Sequence, residues 1–101
     1  MVLGGELDNM TPMATQVTPI YEALGSEDKR LGMLIDGGHM VFSNADEMAP
    51  MSECESPYLD FELAHPALST TVTAWLQLQL GHDAALDTML FDSPLWDWGV
   101  Q

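Results

Sequence analysis

Basic residues are almost missing from this sequence: Lys29 and Arg30 stand alone against sixteen Asp and Glu, a net charge of −14. Phosphate recognition needs clustered Lys and Arg, so nucleic acid is not an expected partner, and neither is an anionic membrane surface. Cys54 is the single cysteine, which rules out an internal disulfide and leaves the redox compartment and the localisation open. No apolar run nears the ~20 residues of a membrane helix. The opening MVLGGELDNM lacks the basic n-region of a secretion signal and reads instead as a strand already under way. His39, Cys54, His65 and His82 show no C-x-x-C or H-x-x-x-H spacing, so no metal is expected, and no cofactor motif is present. His65 and His82 read as surface or capping residues at helix boundaries.

What is there points to a packed domain. Hydrophobic residues make up 47% of the 101, too many for a disordered acidic tail and enough for one domain. Met1–Gly5 reads as a buried strand closed by glycines. Thr11-Pro12 suits a helix start, with Thr11 as N-cap and Pro at the first position. A helix over about 13–24 follows, with a kink or late start at Pro19 and Gly25 as C-cap. Leu31–Asp36 reads as a second strand, and Asn44–Leu63 as a long acidic loop. The strongest helical periodicity covers about 67–80: Leu68, Val72, Trp75, Leu76 and Leu80 form a stripe expected to be core, and Gly81 stops it. A short helix over Asp83–Leu90 and a tail with Trp96 and Trp98 complete the chain. The tail reads either as an acidic–aromatic interaction segment or as tryptophans packed on the last helix.

The order is strand, helix, strand, loop, helix, helix: an α/β arrangement, one βαβ unit with two parallel strands and trailing helices. Two parallel strands are poorly protected alone, because parallel sheets are covered on both faces and exposed edges invite pairing. A larger sheet, or self-association through an open edge, is therefore expected.

Two residues carry possible chemistry. Asp8 follows the first strand and His39 the second, so in a parallel sheet both emerge at the carboxyl edge, where catalytic groups collect. A carboxylate there can hold one imidazole nitrogen and leave the other as a base. Asp8 equally suits a turn or cap before Thr-Pro, and His39 a surface turn. Gly37-Gly38 before His39 suggests a tight turn using glycine's freedom at positive φ. Cys54 in SECES is a poor nucleophile, since neighbouring acids raise a thiol pKa.

The stretch GGELDNMTPMATQVTPIYEAL followed by KRLGMLIDGGHMVF resembles the C-terminal part of α/β-hydrolases, in the dienelactone-hydrolase-like, cutinase and polyester-hydrolase branch. The pattern is strand, G-x-E-x-D-x-x-x-P, helix, a Lys-containing turn, then strand and G-x-H. ALSTTVTAWLQLQLGHDAALDTMLF is similar to the last helices of that family, so the resemblance spans roughly residues 2–91. It implies a carboxylic ester hydrolase with Asp8 as triad acid and His39 as base. The family's nucleophile sits in G-x-S-x-G, and no such motif occurs in this sequence; Ser26 and Ser43 both lack its glycines. The N-terminal part of the domain, with serine and oxyanion hole, is thus expected to lie elsewhere, and this chain alone is expected to be inactive. The alternative is a non-catalytic acidic interaction module.

Overall fold

The computed structural model of the protein describes residues 1–43, 57–81 and 85–99. Strands β1 (Val2–Gly5), β2 (Leu31–Leu34) and β3 (Trp96–Trp98) form one sheet in the order β1-β2-β3. β1 and β2 run parallel, with Val2 opposite Leu31 and Gly5 opposite Leu34. β3 runs antiparallel to β2, pairing Trp98 with Gly32 and Trp96 with Leu34. The architecture is a small mixed α/β sheet.

The third strand corrects the two-stranded expectation. Trp-Asp-Trp alternates with the period of a strand, which sends both indoles to one face and Asp97 to the other. Trp96 is buried against Leu34, Val41 and Ala64, and its ring stacks on Trp98 at 5.6 Å between centroids. Gly32 makes room for the pair: a Cβ there would come within 2.8 Å of Trp98 and of Leu3. The tryptophans therefore pack on the sheet's own core, not simply on the last helix.

The crossover between β1 and β2 holds a π-helical turn, Met13–Val17, continuing into α1 (Thr18–Ala23). The break expected at Pro19 is this change of winding; in the first turn of α1 the proline's missing N–H costs no helix bond. Met13 and Val17 press on Gly4, where a side chain would overlap both. Thr11 does not cap the turn. Pro12 takes that place, and no side chain caps it. Gly25 is not the C-cap either: Leu24 is, in an extended conformation. Lys29 closes the helix from outside, with Nζ 3.0 Å from the carbonyls of Tyr21 and Leu24, where a cation complements the helix dipole.

On the opposite face lie α2 (Phe61–Gln79) and α3 (Leu86–Phe91). α2 starts six residues before the periodicity predicts, because Asp60 caps it: its Oδ1 accepts the Glu62 N–H at 2.8 Å. Pro66 falls inside the helix and forfeits one bond, to the carbonyl of exposed Glu62. Gly81 ends the helical region at φ +77°, as expected.

The predicted core stripe is mostly not core. α2 buries Ala64, Thr71, Ala74 and Trp75, while Val72, Leu76 and Leu80 are 41%, 55% and 73% exposed. The sheet supplies the bulk, with Leu34 and Trp96 against Ala64, and Trp98 reaching the Ala74–Trp75–Leu90 cluster. Small residues on the helix let it approach that surface. His65, expected at a boundary, lies in the second turn of α2 with its ring 5.4 Å from Phe61 and its Nε2 buried. Among the described residues β1 pairs with β2 alone, and no helix is long and apolar enough to cross a membrane. Residues 44–56 of the loop expected over Asn44–Leu63, with Cys54, lie outside the described residues, as do His82 and the first two residues of the helix expected over Asp83–Leu90; the end of that loop is instead the first turn of α2.

Candidate active site

The loops leaving β1 and β2 are brought together by a close backbone crossing. Gly5 has no side chain, and a Cβ there would overlap the carbonyl oxygen of Gly37. That carbonyl instead accepts the Leu7 N–H at 2.9 Å, while the Glu6 N–H bonds Leu34 O at 3.0 Å. The Glu6 side chain adds a tie, accepting the Asp36 N–H at 3.0 Å. The turn after β2 departs from the expectation for its glycines. Asp36 takes the left-handed conformation, φ 58°, and neither Gly37 nor Gly38 has positive φ. Gly37 matters for space: a Cβ would press on the side chain of Leu34 at 3.0–3.1 Å.

This crossing sets Asp8 beside His39. Asp8 Oδ2 lies 2.9 Å from His39 Nδ1. A carboxylate can only accept, so Nδ1 carries a proton, and in the neutral ring Nε2 then bears the lone pair. His39 has helical backbone angles and leads into a single 3₁₀ turn, Met40–Phe42, which fixes the direction of its Cα–Cβ bond.

The turn role and the imidazole-partner role of Asp8 prove compatible, because they use different oxygens. Oδ1 accepts the backbone N–H groups of Met10 at 2.9 Å and Thr11 at 2.8 Å, the pattern of an Asx turn. Oδ2 accepts His39 Nδ1–H and the Thr11 hydroxyl, the latter at 2.5 Å. The ~4 lone-pair sites of a carboxylate are all engaged. Asp8 is only 5% exposed. Burial pushes its carboxyl pKa up, but the Thr11 hydroxyl and amide, His39 and the Met10 amide together outweigh it and hold the group below its ordinary value.

His39 remains partly accessible, its side chain 32% exposed. It lines an open depression of about 430 Å³ with Leu3, Gly4, Thr11, Phe42 and Ser43. Ser43 donates its hydroxyl to Met40 O at 2.9 Å. Leu3 and Phe42 also line an adjoining apolar groove with Leu68 and Val72 of α2. The depression thus opens toward the edge of β1 and the bare face of α2.

Sequence reasoning missed Thr11 and Glu6. The signal for Thr11 was available in Asp-x-x-Thr, since an Asx turn aims the amides of the second and third following residues at the carboxylate. Among the described residues no three His, Cys, Asp or Glu side chains are grouped to hold a metal.

Taken together, these features define a mixed α/β sheet carrying a carboxylate–imidazole dyad on the loops beyond its two parallel strands. Comparison of the chain with family models, with curated proteins and with solved structures returned no match.

Proposed function

We propose that this chain supplies the acid and base of a serine hydrolase of the α/β-hydrolase type acting on carboxylic esters, and that its nucleophile comes from another segment or chain. The supporting observation is the 2.9 Å contact between Asp8 Oδ2 and His39 Nδ1 at the carboxyl edge of two parallel strands. In this reading His39 Nε2 takes the proton of an incoming serine hydroxyl as it attacks the ester carbonyl. Asp8 stabilises the imidazolium, and Nε2 then returns the proton to the departing alkoxide. In this reading the β1–α1–β2 unit with α2 and α3 would be the C-terminal part of such a domain.

In this reading the rest of the site is completed along the edge of β1 that pairs with no strand among the described residues. In a parallel ladder alternate residues bond to each neighbour. Val2 N–H reaches Arg30 O and Glu6 N–H reaches Leu34 O, which turns the Leu3 N–H toward the open side. A second reading, a non-catalytic interaction module, is favoured by the face of α2. No charged residue lies between Glu62 and Asp83, in a chain of net charge −14, and that stretch exposes Val72, Leu76 and Leu80. Charge-depleted apolar surface marks interfaces. Both readings use the same side of the molecule.

The test is twofold. The purified chain, and its His39→Ala variant, should give no turnover of a short-chain p-nitrophenyl ester. Complexes captured from its host on the tagged chain should contain a serine that reacts with a fluorophosphonate, and labelling should vanish with His39→Ala. A captured partner with no reactive serine, or one labelled regardless of His39, would leave the interaction-module reading in its place.

A further inference from the structure

Thr11 holds the dyad from the side that neither strand controls. The two backbone bonds to Asp8 reach only Oδ1. Rotation about the carboxylate's last torsion, which is broad and roughly two-fold, would carry both oxygens off their donors together, so a bond to Oδ2 adds to the restraint that Oδ1 supplies. The Thr11 amide bonds Oδ1 while its hydroxyl bonds Oδ2, so one residue grips both oxygens. Its Oγ1 also sits 3.4 Å from His39 Nδ1, too far for a good bond but close enough to wall that corner. The hydroxyl has no helix to cap, because Pro12 occupies the N-cap position. β-Branching restricts the threonine's own χ1, which keeps the hydroxyl aimed.

We propose that Thr11 is a positioning residue, whose hydroxyl keeps Asp8 Oδ2 in the path of His39 Nδ1–H and thereby holds the imidazole in the tautomer with a basic Nε2. The catalytic meaning of that tautomer rests on the function proposed above; the tautomer itself does not. Among the described residues, Asp8 is the titratable group bonded to His39 Nδ1, and Leu3, Gly4, Met40, Phe42 and Ser43 line the depression beside the dyad and Thr11.

The experiment is nitrogen-detected NMR of the histidine rings at ~pH 8, where an ordinary imidazole is neutral. Wild-type His39 should be protonated at Nδ1. Thr11→Val should raise the population protonated at Nε2 several-fold, since a ring that loses its acceptor redistributes the proton. Thr11→Ser, which keeps the hydroxyl, should restore the wild-type pattern. Thr11 is exposed, so the fold should tolerate these changes, and far-ultraviolet circular dichroism checks that it does. An undiminished Nδ1–H form in a folded Thr11→Val chain would overturn the proposal. So would failure of serine to restore the pattern, or unfolding of both Thr11→Val and Thr11→Ala, which would assign Thr11 to the fold alone. None of these readouts depends on ester turnover, so a chain that proves not to be a hydrolase leaves the proposal standing or falling on its own.

Discussion

Asp8 and His39 meet through Oδ2 and Nδ1 at 2.9 Å, although each lies on a different loop and the carboxylate is also the centre of its own turn. One side chain thus organises a local turn with one oxygen and a tertiary contact with the other. Removing its charge tests both at once.

Asp8→Asn should destabilise the chain by about 1–3 kcal/mol, the usual cost of leaving buried donors unmatched. The amide keeps one acceptor oxygen, and its NH₂ then faces either the Met10 and Thr11 amides, which can only donate, or the Thr11 hydroxyl and His39 Nδ1, which must turn or move their protons to accept it. Urea unfolding of the two proteins at neutral pH measures the difference. Equal midpoints and slopes would show that the carboxylate's bonds add nothing net.

The pH dependence follows from the lowered pKa of Asp8. Its folded value lies below the ordinary 3.8, so the unfolded chain binds the proton first as pH falls. The stabilisation is therefore fully present above the ordinary carboxylate range and is lost as pH falls through the folded value. On the acid limb, the gap in stability between wild type and Asp8→Asn should shrink as pH falls below about 4. A gap that widens below about pH 4 would contradict the sign.

Two glycines should respond oppositely to alanine. Gly5→Ala sets a methyl against the Gly37 carbonyl, and backbone cannot swing aside as a flexible side chain can. A loss of about 1–3 kcal/mol is expected, together with loss of the His39 Nδ1–H signal as the two loops part. Gly25→Ala meets nothing within 4 Å and has no positive φ. It should be neutral or stabilising by up to about 1 kcal/mol, through the unfolded state. Thermal melts of both variants check the contrast.

The exposed stripe of α2 predicts a separation of stability from association. Leu76→Glu and Leu80→Glu change residues 55% and 73% exposed, so folding stability should move by no more than about 0.5 kcal/mol. Trp75→Ala in the same helix, at a site 9% exposed, should cost about 3–5 kcal/mol. Sedimentation of the wild-type chain at micromolar concentration should show association, and the two glutamates should abolish it. A compact wild-type monomer would remove the open face as a self-association surface.

Much of this site was legible in the residues. Asp8 and His39 each follow a short apolar run closed by turn residues, and parallel strands separated by a helix bring such loops to one edge. The stop at Gly81 was equally local, since a glycine past a periodic run supplies the left-handed residue that a helix end uses.

The rest depended on contacts between distant segments. Trp96-Asp97-Trp98 is too short a run for its alternation to outweigh a reading as tail, and it became a strand because β2 offered an edge and Gly32 a recess. The exposed stripe of α2 has the same spacing as a buried one. Which apolar side of a helix is covered is decided by what stands opposite it, and here two tryptophans favoured the small residues. Gly5 was needed for the approach of two backbones and Gly37 for the side chain of Leu34, rather than for unusual torsions, and the stretch of sequence around Gly5 does not reveal that approach. By itself the sequence determined that β1, β2 and the long helix form and which residues the loops after the two parallel strands carry, because those follow from local spacing. Only the tertiary structure decided which surfaces met, and with them the second oxygen of Asp8, because that depends on volume and hydrogen bonds supplied from elsewhere in the chain.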